Sequence, residues 1–166
     1  MIKSLLLLFS ISICAYADPA AYAQLSSLTT QVPPSTKPVA VIMDRVDVIH
    51  NFEVSPKKDK LIAKVAGVYF VLASGQCAST TKTTTGNMDL WFVKNSSPVP
   101  NSNTRVSVDQ PGSLPVLVTQ FLVALAPGDS IATYFSTTGP SLGLLFSQPY
   151  NEPANTSFFF SIFKVD

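Results

Sequence analysis

The sequence predicts an all-β protein, an antiparallel sandwich, on three observations. The run Gly67-Val68-Tyr69-Phe70-Val71-Leu72-Ala73-Ser74-Gly75 is too short to cross a bilayer. Its β-branched and aromatic content favours a strand buried on both faces over a helix. Turn residues recur roughly every 8 to 12 positions with no helical period sustained between them, the spacing of a sandwich or barrel. The last segment, residues 157–165, concentrates Phe158, Phe159, Phe160 and Phe163. Left as an uncovered edge such a strand would aggregate, so it lies centrally or beneath another subunit.

Taken in order, residues 1–17 carry one positive charge, a short apolar core and a closing Ala15-Tyr16-Ala17. That is the layout of a secretory signal peptide cleaved before Asp18, and the expected destination is the cell exterior or a periplasm. Residues 18–38 are rich in Ala, Ser, Thr and Pro and end in Pro33-Pro34-Ser35-Thr36-Lys37-Pro38. Prolines at this density stop a regular ladder, so the segment is expected to be an extended lead-in, with room for a helical turn or two over residues 20–28. The domain proper is expected over residues 39–166.

Within it, residues 39–43 form a short β-type run. Residues 46–54 alternate, with Val46, Val48 and Phe52 against Asp47 and Asn51. Alternation marks a strand with one wet face. After a turn at 55–59, Leu61, Ala63 and Val65 alternate into the central run. Residues 77–87 read as its extension followed by a polar loop. Over 88–94, Met88, Leu90 and Phe92 share one face, and Trp91 and Val93 the other. A loop at 95–103 precedes a short edge strand at 104–108. A second apolar run, 114–125, closes at Pro127-Gly128-Asp129, after which Ile131, Thr133 and Phe135 stand opposite Ala132 and Tyr134. A turn at Gly139-Pro140, a strand at 142–146 and a turn at 149–155 lead to the final strand.

Charge and cysteines narrow the function classes. The chain holds 11 Lys and Arg against 10 Asp and Glu, so removal of Lys3 with the signal peptide leaves a net charge of zero. There is no electrostatic case for nucleic acid or an anionic membrane. Only 13% of residues are charged while 46% are apolar, a balance that suits a surface hidden in an oligomer. Once Cys14 is removed, Cys77 has no intrachain partner and reads as a small buried residue. His50 is the single histidine, which rules out multi-histidine metal sites. No Gly-x-Ser-x-Gly elbow, Cys-x-x-Cys, His-Glu-x-x-His or phosphate-cradling glycine loop is present, so no catalytic, cofactor or metal residues are assigned.

Four stretches resemble the C1q/TNF-like superfamily, specifically a C1q-type globular domain. Gly67-Val68-Tyr69-Phe70, with Leu61 upstream, is similar to that family's glycine, any residue, tyrosine segment. Phe92-Val93-Lys94-Asn95 resembles its strand-to-turn stretch, and Leu125-Ala126-Pro127-Gly128-Asp129-Ser130-Ile131 its glycine-aspartate motif. Residues 157–163 sit where the family ends on a phenylalanine-rich strand, although Phe160 stands where the family usually has glycine. The match spans residues 39–166 in order.

The resemblance implies a jelly roll of about ten strands that assembles as a compact homotrimer. Tyr69, Phe70, Phe121, Phe158, Phe160 and Phe163 are the residues expected at its core and interface. No glycine precedes Gly67, so a collagen Gly-X-Y repeat is absent from this chain. Some relatives bind calcium through aspartates near the threefold axis, and Asp44, Asp89 and Asp109 are the candidates here, though no motif assigns them. The expected function is a secreted, non-catalytic homotrimeric module that recognises or adheres to a protein or glycan. The alternatives are a structural coat or matrix subunit and, behind it, a carbohydrate-active jelly-roll enzyme.

Overall fold

A computed structural model describes residues 20–81, 83–110 and 112–166. The expected signal peptide, residues 1–17, lies outside them. The described residues form no helix. Their strands are β1 (Tyr22–Ser27), β2 (Val39–Ala40), β3 (Arg45–His50), β4 (Phe52–Val54), β5 (Leu61–Ala63), β6 (Gly67–Ser79), β7 (Gly86–Lys94), β8 (Ser97–Pro98), β9 (Thr104–Val108), β10 (Val116–Leu125), β11 (Ser130–Thr137), β12 (Leu142–Leu144) and β13 (Phe158–Lys164).

Two antiparallel sheets result. The first runs β10-β6-β13-β1-β3, and β12 takes over from β13 along the far end of β6. The second runs β4-β5-β11-β7-β8, with β2 beside β11 and β9 beside β7. As the sequence predicts, β6 is central, flanked along its length by β10 and β13. It is apolar on both faces because Tyr69, Val71 and Ala73 point into the sandwich while Val68, Phe70 and Leu72 stand on the outer side.

The core fills from both inner faces. β13 contributes Phe158, Phe160 and Ile162, and β7 contributes Met88, Leu90 and Phe92. Phe160 meets Phe92 edge-on across the sandwich, ring centroids 6.2 Å apart and planes at 82°. Phe52 meets Tyr69 likewise at 5.3 Å. The Tyr69 hydroxyl donates to the Val65 carbonyl at 2.8 Å, which satisfies the one polar atom this ring carries inside.

The structure corrects the expected lead-in. Residues 22–27 are neither helical nor peripheral: β1 pairs with β13 on one side and β3 on the other. Ala23 and Leu25 point inward and Tyr22 and Gln24 outward, a period of two. Pairing on both edges outweighs the weak helical preference of Ala and Gln. The sandwich therefore begins before Val39.

The expected strand over 46–54 also breaks. Asn51 takes a left-handed conformation, φ 58°, and the chain leaves the first sheet as β3 and enters the second as β4. Asparagine tolerates this region better than most residues, and its amide donates to the Ala20 carbonyl at 2.7 Å, tying the corner to the start of β1.

One glycine contact is close enough to test. A Cβ on Gly143 would run into the Gln31 carbonyl, which accepts from the Leu144 N–H at 2.9 Å while the Gln31 N–H donates to the Leu144 carbonyl at 2.9 Å. Gly143→Ala is expected to force that bridge apart at a cost of about 1–3 kcal/mol, read as a lower thermal midpoint with unchanged β-sheet content.

Candidate functional site

The register places side chains across the outer face of the first sheet in rows. Leu122 on β10, Phe70 on β6, Phe163 on β13, Tyr22 on β1 and His50 on β3 lie side by side. Phe70 and Phe163 have ring centroids 5.3 Å apart, and Tyr22 stacks on His50 at 5.4 Å. The next row carries Gln120, Leu72, Ser161, Gln24 and Val48, and the third Val118, Ser74, Phe159, Ser26 and Arg45.

No outward position on β10, β6, β13 or β1 is charged. Charge appears only at the β3 margin, where Arg45 pairs with Asp47 at 2.9 Å. Yet the face stands open: Val116 is 60% exposed, Leu122 57% and Phe163 47%. β10 is also an edge strand, and an edge without charge or proline is what monomeric proteins avoid.

The six aromatic residues expected at a trimer core and interface separate by strand parity. Phe70 and Phe163 stand on the open face. Tyr69, Phe158 and Phe160 have no solvent exposure and are covered by the second sheet of the same chain. Phe121 is half-buried against the core from β10. Tyr22 and Leu122, which complete the aromatic row, were not singled out by the sequence. Leu122 sits in a run where nearly every residue is apolar, and Tyr22 in a segment read as a lead-in.

At one end of the sandwich, two of the sequence motifs meet. Asp129 accepts from the Ala126 backbone N–H at 2.9 Å and the Asn95 amide at 2.6 Å, and pairs with Lys94 Nζ at 2.9 Å. Asn95 in turn accepts from the Ser130 N–H at 2.8 Å. Those hydrogen bonds, led by Ala126 and followed by Asn95 and Lys94, hold the Asp129 carboxyl well below the usual carboxylate range. Gly128, at φ 89°, supplies the left-handed turn residue beside it. This cluster clamps the turn after β7 to the turn before β11.

A group with a lowered folded pKa stabilises above its unfolded pKa, about 3.9 for aspartate, and the contribution disappears as pH falls through the folded value. Asp129→Asn is therefore expected to lower the thermal midpoint at pH 7. The gap from the wild type should close progressively below about pH 4, which a pair of pH-dependent unfolding series checks.

The other singled-out residues lie apart. Asp44 accepts from the Leu28 N–H at 3.0 Å and the Thr29 hydroxyl at 3.0 Å. Asp89 lies on the outer face of the second sheet in a bidentate pair with Arg105, at 2.9 and 3.0 Å, which raises the Arg105 pKa further. Asp109 follows β9 and is exposed. Among the described residues, no group of three His, Cys, Asp or Glu side chains converges on a point. Cys77 is buried, and burial pushes its thiol up to about 12, far from a reactive thiolate.

Around the Asp89–Arg105 pair lies a cleft of about 480 Å³, lined also by Trp91, Asn101, Asn103 and Pro98. Trp91 is half-buried and leans on Tyr134, centroids 6.3 Å apart.

Two crystal structures of murine APRIL superpose on this chain. The pH 8.5 structure has a TM-score of 0.58 at 10% identity, and the pH 5.0 structure 0.55 at 11%. Each alignment covers 89% of this chain and all of the other. The fold is a TNF-like jelly roll. That agrees with the C1q/TNF-like resemblance of the sequence. At such identity the likeness concerns the fold alone. No family model matches the sequence, and no curated protein matches it.

Proposed function

We propose that this chain is an exported, non-catalytic recognition module that works as a homotrimer, with the open face of its first sheet joining the copies. The observation that carries the reading is the uncharged outer face of β10, β6, β13 and β1, with its row of Leu122, Phe70, Phe163 and Tyr22. A solvated face of this composition invites aggregation, whereas a closed ring of identical copies shields it from further association. Gln24, Gln120 and Ser161, in the row between those of Leu122 and Val118, supply hydrogen-bonding groups, the mix found where copies meet. The TNF-like fold and the sequence resemblance support a threefold ring over a twofold pair. The loops at the ends of the sandwich and the outer face of the second sheet remain for a protein or glycan partner. Three weak sites on one particle gain avidity of about 10² to 10⁴ over one.

Multi-angle light scattering and chemical cross-linking of the purified protein test this. A discrete species of three protomers across a dilution series is expected, and a stable monomer at micromolar concentration would end the reading.

A further inference from the structure

Asp89 sits at the floor of the cleft on the second sheet, its side chain only 9% exposed, while Arg105 above it is 61% exposed. Arg105 uses Nε and one terminal nitrogen on the carboxylate, and Asn103 donates to the same carboxylate at 3.3 Å. The second terminal nitrogen of Arg105 has no partner among the described residues. The pair is therefore held flat by two hydrogen bonds with donors left over at its rim.

The facing wall is fixed equally firmly. The buried Ser102 hydroxyl accepts from the Phe92 N–H at 3.1 Å and donates to the Val99 carbonyl at 2.8 Å. Thr119 donates to the Ser102 carbonyl at 2.6 Å. The loop carrying Pro98, Asn101 and Asn103 is thus pinned to β7 and to the opposite sheet. Asn101, held at φ 63°, lines the cleft from that loop.

We infer that this cleft is a saccharide-binding site, taking one neutral pyranose with its ring against Trp91 and its hydroxyls on Arg105, Asn101 and Asn103. An indole face presents negative charge to the polarised C–H bonds on one side of a sugar ring. A planar guanidinium and two carboxamides can each meet neighbouring hydroxyls on the ring's edge. The carboxylate and guanidinium cancel each other's charge, which removes the attraction an acidic sugar or phosphate requires. A volume near 480 Å³ lies within the usual range for small-ligand sites, and the pinned walls lower the ordering cost of binding. A proline-rich peptide is the competing occupant of an aromatic groove, but it needs few donors at the floor and a longer channel. The assignment deepens the recognition reading proposed above and rests on it, while using the sheet opposite to the one that joins the copies.

Trp91 is the chain's single tryptophan, so its emission reports this site alone. Titration of the purified protein with a panel of free neutral hexoses, deoxyhexoses and N-acetylhexosamines, alongside a uronic acid and a polyproline peptide, is the test. At least one neutral sugar is expected to shift the emission saturably. Arg105→Lys keeps the charge beside Asp89 but loses the fork, and Asn101→Gly keeps the left-handed backbone but loses the amide. Each should weaken binding by about tenfold or more while light scattering shows the same assembly as wild type. No response to any neutral sugar, a response to the peptide instead, or unchanged binding in both variants overturns the proposal. Sugar binding by a protein that scatters as a monomer keeps this site and overturns the trimer. A trimer that binds no sugar does the reverse.

Discussion

Replacing Phe163 with glutamate and Leu122 with aspartate is expected to yield a folded monomer. Both side chains stand on the open face, 47% and 57% exposed in the single chain, so neither substitution removes core packing. In the proposed ring each would bury an unpaired carboxylate among apolar rings, which costs several kcal/mol per group after relaxation. Even about 2 kcal/mol at each contact weakens association about thirtyfold, and three contacts compound it. Sedimentation velocity should show one protomer, with a circular dichroism spectrum matching the wild type. A double variant that remains trimeric would remove this face from the interface.

Phe160→Ala, three residues away on the same strand, is expected to do the opposite. Phe160 has no solvent exposure and packs edge-on against Phe92 from the other sheet. Truncating a buried phenylalanine costs about 3–5 kcal/mol through lost transfer energy and the cavity left behind. For a domain of this size that lowers the thermal midpoint by roughly 6–20 °C. Thermal unfolding followed by circular dichroism checks it, and a loss below about 1 kcal/mol would mean that the ring is not packed as described. The proposal thus gives inward and outward positions of one strand separable roles, stability on one side and association on the other.

The sequence shows that β13 is apolar but not which of its phenylalanines face inward. Three in succession have no alternation, so the phase has to come from elsewhere. Ser161 is the available marker: it shares its parity with Phe159 and Phe163, and it stands on the open face with them. The same logic places Leu122 with Gln120 on β10. The aromatic row itself could not be read in advance, because Tyr22, His50, Phe70, Leu122 and Phe163 come from five strands and meet only through register.

Strand content was easier to read than strand ends. Over 88–94 and 130–136, alternation between turns sorts the side chains onto the two faces as observed. β1 was hidden by the prolines that follow it and by its neutral composition, since its strand character comes from two partners distant in sequence. The Asp89–Arg105 pair was hidden for a related reason. The two residues lie opposite each other only once β7 and β9 are aligned, and neither belongs to a recognisable motif. Resemblance to the C1q/TNF-like superfamily brought the Gly128-Asp129 turn to attention, and the structure supplies its physical role as a clamp on Lys94 and Asn95.

The most direct test of the account is the solution mass of the purified wild-type protein by light scattering, across dilution from high to low micromolar concentration. Three protomers per particle, stable on dilution, is the predicted result. A single protomer with the β10, β6, β13 and β1 face in water would contradict it.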